Sequence, residues 1–255
     1  MYILAGVIQG LLEWLPVSSS GQVMLALSVS LGLPPYITYQ IALGLHGGTL
    51  LSAIIYYWKE VLDGLKNLTT PLRSEVSQIW LVATPISVIV GYPVYLMYED
   101  FAGEIGLDWL MLLIGIPLLI IGILGLKTED KDRERLTMKD LLWLGITQGL
   151  AVIPGVSRSG LTIATLLARG ISPVKAVRTS FLASIPAILL VSLYIGLLQE
   201  TYFDANMIIA LASSFLSGLV GIAAMEYIAK RVNTNLFSII IGIILIIVGV
   251  LALLI

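Results

Sequence analysis

Two charged side chains stand apart from every polar loop of this sequence, Glu13 and Arg158. The other 28 of the 30 Asp, Glu, Lys and Arg residues fall in or beside polar segments. Arg158 sits in Pro154-Gly155-Val156-Ser157-Arg158-Ser159-Gly160, and Glu13 just precedes Leu15-Pro16-Val17-Ser18-Ser19-Ser20-Gly21. An arginine at bilayer depth costs at least about 2.5–3.5 kcal/mol, so it faces protein or a watery cavity and finds a partner. Glu13 and Arg158 are therefore either a structural pair locking two loops or two parts of an anion site.

The neighbouring residue types favour the anion. Ser157, Ser159 and Gly160 stand just ahead of a helix expected from about Leu161, and Ser18, Ser20 and Gly21 ahead of one from about Gln22. Helix N-termini present unpaired N–H groups and partial positive charge to phosphate. Glycine lets the backbone approach closely, and the guanidinium fork matches phosphate oxygens in pairs. Capping accounts for one serine per helix start, not for three in a row in one turn and two flanking a buried arginine in the other. Thr162, one turn beyond Ser159, adds a hydroxyl.

The elements that must position these residues are apolar helices. Hydrophobic residues make up 58% and charged residues 12% of the 255, against about 25% charged in soluble domains. No cysteine is present, so thiolate metal sites and disulfides are excluded, and a net charge of −2 with no basic run gives no sign of nucleic-acid binding. Six stretches are long enough to span: Ile37–Trp58, Ser77–Tyr98, Trp109–Leu126, Thr179–Gln199, Ala205–Met225 and Leu236–Ile255. Met1–Gly32 and Leu141–Ala168 are apolar but broken by Pro, Gly and Ser, with halves of about 15–22 Å as helix, too short to cross.

Charge sides decide how the broken stretches run. With basic loops inside, two re-entrant hairpins put 13 of the 14 Lys and Arg on one side, the exception being Arg158. A single crossing at Leu141–Ala168 misplaces five of them. The expected fold is thus an all-α polytopic membrane protein of six transmembrane helices and two hairpins. Loops 59–76, 127–140, 169–178 and 230–235 face the cytoplasm across a plasma membrane. Gly6–Gly21 aligns without gaps on Gly145–Gly160, with identity at 8 of 16 positions. This internal repeat divides a single membrane domain into inverted repeats 1–126 and 141–255, joined by a solvated linker, 127–140.

Gln9-Gly10-Leu11-Leu12-Glu13, the serine turn to Gly21, Leu45-His46-Gly47-Gly48-Thr49 and Pro154 to Thr162 together resemble the undecaprenyl-diphosphate phosphatase family, also called bacitracin-resistance proteins. The resemblance covers essentially the whole chain. It implies a membrane enzyme that removes the terminal phosphate of undecaprenyl diphosphate and so recycles the lipid carrier for cell-envelope glycans. It implies Glu13, Ser19 and Arg158 as catalytic residues, Ser19 as nucleophile or phosphate ligand. Gln9, Ser18, Ser20, Gly21, Gln22, Ser157, Ser159, Gly160 and Thr162 are expected around the substrate phosphate. A divalent cation, Mg²⁺ or Ca²⁺, is implied with Glu13 as its ligand, though the chain offers one carboxylate there. The family often carries histidine where this chain has Gln22, which leaves acid–base work to Glu13, acting on Ser19 or on water.

His46, the only histidine, lies midway along the first full span. It is either a hydrogen-bonded ring in helix packing or a group at the cavity. Expected partners are an isoprenoid diphosphate and membrane lipids, with a second copy of the chain as a further candidate and no nucleic acid. The competing function is a transporter or flippase of a phosphorylated polyprenyl lipid, since inverted repeats with broken helices serve transport too. The alignment sets Glu13 against Val152 and Ser19 against Arg158, an asymmetry that suits catalysis better than symmetric gating.

Overall fold

A computed structural model of the chain describes residues 2–17, 19–33, 35–101, 133–152, 156–198 and 205–232, with scattered positions between 236 and 250. Among these the regular structure is helical: α1 (Tyr2–Leu12), α2 (Ser19–Leu31), α3 (Pro35–Tyr56), α4 (Trp58–Lys66), α5 (Glu75–Phe101), α6 (Met138–Leu150), α7 (Arg158–Ala168), α8 (Pro173–Leu198) and α9 (Ala205–Arg231). Helices α5, α8 and α9 are each long and apolar enough to cross a membrane, and α3 with α4 forms a fourth candidate, bent by 84°. The expected spans at 77–98, 179–199 and 205–225 fall on α5, α8 and α9, whereas that at 37–58 ends as α3 at Tyr56, where the chain bends into α4. Those at Trp109–Leu126 and, for the most part, Leu236–Ile255 lie outside the described residues.

Prolines 85, 93 and 186 sit inside α5 and α8 without ending them. Neighbouring helices and local adjustment re-satisfy the freed carbonyls of a packed membrane helix. The two broken stretches form short pairs, α1 with α2 and α6 with α7. The second helix of each pair begins earlier than the sequence indicates: α2 starts at Ser19 and α7 at Arg158. Two of the residues singled out for chemistry are thereby the first residues of their helices.

Among the described residues, the first helix of each pair packs on the other half of the chain and the second on its own half. Helix α1 lies along α9, and α6 along α5; α2 lies on α3, and α7 on α8; α3 meets α9 as α8 meets α5. Repeat-matched glycines permit the closest of these approaches. A Cβ on Gly145 would lie 2.7 Å from the Ala83 carbonyl oxygen, and one on Gly149 would lie 2.7 Å from that of Ser87. Gly6 and Gly10 face Ala210, Ser213, Ser214 and Ser217 of α9 even more tightly. Small residues at such crossings let backbones approach in a medium where apolar burial gives no drive.

The segment before α6 is not the wholly solvated linker expected. Asp140 is fully buried and takes Arg133 at 3.1 and 3.2 Å and Arg169 Nε at 2.5 Å. It also closes a capping box with Thr137, the N-cap of α6. Burial opposes its charge, but the bonds from Arg133, Thr137 and Arg169 outweigh it and hold the carboxyl well below its ordinary range. An i to i+3 capping pattern and a basic residue on each side suffice to pull one acid of a charged linker into the protein. Residues 127–132 lie outside the described residues.

Candidate active site

The turns after α1 and before α7 meet. Ser157 caps α7, its Oγ accepting from Gly160 N at 3.1 Å. Ser159 Oγ donates to the Leu15 carbonyl at 2.7 Å, tying the second turn to the first. Trp14, fully buried, wedges beneath: its indole lies edge-on to Phe181 at 4.7 Å and its ring is 5.7 Å from the Arg158 guanidinium. Gly218 and Gly221 of α9 leave room for that indole. Through these contacts the first turn is fixed against α7, α8 and α9 at once.

On this frame Glu13 and Arg158 pair directly, Nη2 to Oε1 at 2.5 Å, with side chains 6% and 14% exposed. The other carboxylate oxygen, Oε2, accepts from Ser19 Oγ at 2.6 Å and from Gln9 Nε2 at 2.9 Å. His46 of α3 completes the shell. Its Nε2 is 3.3 Å from Oε2 and its Nδ1 is 2.9 Å from the Ala42 carbonyl oxygen. Arg158 Nη1 is buried with no partner among the described residues. An unpaired buried N–H is costly, and this one lies beside the cavity where an acceptor could meet it.

A cavity of about 420 Å³ adjoins the group, lined by Glu13, Ser19, Ser20, His46, Ser157, Arg158 and Ser159 among polar residues. Its wall continues over Val88 and Tyr92 of α5 and Leu190 and Val191 of α8. These four are also substantially exposed, so the lining runs from the charged group along apolar side chains of α5 and α8. Gln148, which the repeat matches to Gln9, lines the same wall, with its amide nitrogen 3.4 Å from Ser87 Oγ.

The residues expected at a phosphate do not all gather there. Glu13, Ser19, Ser20, Ser157, Arg158 and Ser159 line the cavity, and Gln9 joins through Glu13. Thr162 instead bonds the Arg158 carbonyl at 2.8 Å and Ser180 at 2.6 Å, behind the cavity. The Gly160 amide is taken by the Ser157 cap, because α7 begins at Arg158 and these two close its first turn. Gln22 is exposed on α2, and Gly21 follows Ser20 in that helix. Ser18 lies outside the described residues. Trp14 and Gln148 went unread in the sequence, although Gln148 is one of the eight repeat identities.

The donor set does not fit a divalent cation held by the chain alone. Glu13 is one carboxylate whose two oxygens already face Arg158, Ser19, Gln9 and His46. No three acidic, histidine or cysteine side chains cluster among the described residues. The arrangement suits acid–base work beside an anion instead: a carboxylate on a serine hydroxyl, and a guanidinium with an arm to spare.

The sequence profile described as bacitracin resistance protein BacA matches residues 2–251. An undecaprenyl-diphosphatase of Methanococcoides burtonii is 37% identical over 251 residues, covering 94% of each chain. One of Methanothrix thermoacetophila is 35% identical, covering 95% of this chain and 93% of its own, and one of Sulfurisphaera tokodaii is 33% identical over 99% and 98%. With the profile spanning nearly every residue and relatives above 30% identity end to end, this chain belongs to the bacitracin resistance protein BacA family.

Proposed function

We propose that this protein is an integral membrane phosphatase that cleaves the terminal phosphate from undecaprenyl diphosphate, releasing undecaprenyl phosphate and orthophosphate. In that role it recycles the lipid carrier of cell-envelope glycans and confers bacitracin resistance. The observation that carries the reading is the composite site: Ser19 Oγ on Glu13, Glu13 on Arg158, and a second Arg158 arm without a partner. The relatives' shared name supplies the substrate class. The wall over Tyr92, Leu190 and Val191 supplies an apolar exit, so the polyprenyl chain lies in the bilayer while the diphosphate reaches the charged group.

The reaction proposed on this geometry has two steps. Arg158 and the N-terminus of α7 bind the terminal phosphate and stabilise charge as it passes to the leaving oxygen, the main source of rate in phosphoryl transfer. Ser19 Oγ gives its proton to Glu13 and bonds to phosphorus, and the bond to the bridging oxygen breaks, freeing the lipid monophosphate. Water then displaces Ser19 from phosphorus, orthophosphate leaves, and Glu13 returns the proton to Oγ.

The membrane disposition proposed with this function is six spans and two re-entrant pairs, α1 with α2 and α6 with α7, as inverted repeats. The exchanged packing of α1 on α9 and α6 on α5 supports that symmetry. A chain without cysteine permits a direct test: single cysteines at Asn67, Glu134 and Arg231 are expected to react with impermeant maleimide from the cytoplasmic side alone. For the activity, purified protein given undecaprenyl or farnesyl diphosphate releases orthophosphate. Binding without release, or lipid translocation without hydrolysis, replaces this reading with the flippase one.

A further inference from the structure

The two steps above leave His46 unused, although it touches the carboxylate that works in both. It is the one imidazole of the sequence, brought to Glu13 from the middle of α3. The Ala42 carbonyl can only accept, so its 2.9 Å contact places a hydrogen on Nδ1. The contact of Nε2 with Glu13 needs a hydrogen as well. Glu13 already accepts from Ser19, Gln9 and Arg158, so it is a carboxylate and that hydrogen belongs to the ring. Both nitrogens are thus protonated. The side chain keeps 17% of its surface and lines the cavity beside Ser19 and Arg158.

Glu13 and Arg158 are the charged groups this ring faces. Lys175 of α8 pairs instead with Glu75, and further pairs on helices packed against α3 gather around the α3–α4 bend. There Tyr57 donates to Glu226, Lys230 pairs with Glu226, and Arg178 pairs with Glu60. Gln22, where the family often has histidine, is exposed on α2. The imidazole of this site therefore comes from a different helix.

We propose that His46 is a further catalytic residue, the general acid to the departing lipid monophosphate and then the general base to water. The inference rests on the phosphatase reading. In the first step the Ser19 proton goes to Glu13, the Oγ–P bond forms, and the bridging P–O bond breaks with its electron pair on the leaving oxygen. That oxygen takes the Nε2 proton. In the second step neutral Nε2 takes a proton from water, the resulting hydroxide bonds to phosphorus, and the Ser19 Oγ–P bond breaks as Glu13 returns its proton to Oγ. The imidazolium and the carboxylate are both restored, and one water has been consumed.

Orthophosphate release from farnesyl diphosphate by the purified full-length protein, followed from about pH 5.5 to 9 around the imidazole range, tests this. His46→Gln keeps a donor toward Glu13 and His46→Asn keeps one toward Ala42, but neither can transfer a proton. Both are expected to lower kcat by about 10²–10⁴-fold with KM changed no more than a few-fold. Wild type is expected to decline on the basic side as the ring loses its proton, and both variants should lack that decline. Partial recovery of His46→Ala by added imidazole supports the assignment. If either the Gln or the Asn variant turns over within threefold of wild type at every pH, His46 is a packing residue and the inference fails. Wild-type protein that releases no orthophosphate sinks the phosphatase reading itself, a distinguishable result.

Discussion

Glu13 and Arg158, 145 positions apart in the chain, form a buried ion pair at 2.5 Å that joins the two broken stretches. Removing one partner of such a pair leaves the other charged and unpaired, at about 3–5 kcal/mol. The informative variants therefore keep shape. Glu13→Gln should fold and lose about 10²–10⁴ in kcat as the general base disappears. Arg158→Lys keeps the charge but loses the fork, and about 10²–10³ in kcat with it, the scale of one transition-state donor. Phosphate release assays on folded variants decide; full turnover in either excludes the pair from the chemistry.

Ser19 and Ser157 separate nucleophile from cap. Ser19→Ala should abolish turnover, and a brief reaction with terminally ³²P-labelled substrate should leave label on wild-type protein only. Ser157→Ala loses the cap on α7, about 1 kcal/mol, and keeps most of its activity. Label retained by Ser19→Ala would assign attack to another side chain, and turnover that leaves no label on wild-type protein would assign it to water.

Gly10 and Gly149 hold the two long helix crossings closed. Alanine at either position meets backbone of the facing helix. Overpacking of this kind destabilises by about 1–3 kcal/mol. Thermal unfolding in detergent should fall for both variants and fall further for the double variant, since the crossings α1–α9 and α6–α5 are separate.

Asp140 gives stability that depends on pH. Its carboxyl is held below the unfolded value of 3.8, so its contribution is complete above that pH and is lost as pH falls through the lower folded value. Asp140→Asn should thus unfold at a lower temperature than wild type at pH 7, and the gap should narrow below about pH 4 as the Asp140 carboxyl of the unfolded chain protonates. A gap unchanged down to pH 3 would show that Asp140 does not act through its charge.

A divalent cation expected from the family resemblance meets only one carboxylate here, itself engaged by Arg158. Any requirement for Mg²⁺ or Ca²⁺ should accordingly follow the cation–diphosphate complex, since Mg²⁺ commonly binds through substrate phosphates. Substrate-free protein is expected to bind no Mn²⁺ at micromolar concentration by equilibrium dialysis. Stoichiometric binding abolished by Glu13→Gln would overturn this.

Much of the site could be read from the chain because a lone charge in an apolar stretch is expensive and stands out. Glu13 and Arg158 were found in that way, and the repeat aligned Ser19 with Arg158. Other residues gave no such signal. Thr162 resembles a ligand in one dimension but turns to Ser180, and Asp140 resembles a solvated loop acid but is buried between two arginines. Trp14 and Gln148 are ordinary apolar-helix residues until their neighbours are known. His46 admitted two readings, and only its distance to Glu13 separates them.

Composition, the spacing of apolar runs and the placement of lysines and arginines determined by themselves that the chain is helical, lies in a membrane and carries two charges, Glu13 and Arg158, set apart from its polar loops. These are local properties: each follows from the transfer cost of a segment or a side chain out of water. Which serine touches the carboxylate, which merely caps a helix, and that an imidazole from α3 reaches the same oxygen were decided by tertiary structure alone. Those outcomes depend on where α2 and α7 start and on how closely glycines let α1 and α6 approach the opposite half. Such contacts join residues scores of positions apart, and no local pattern encodes them.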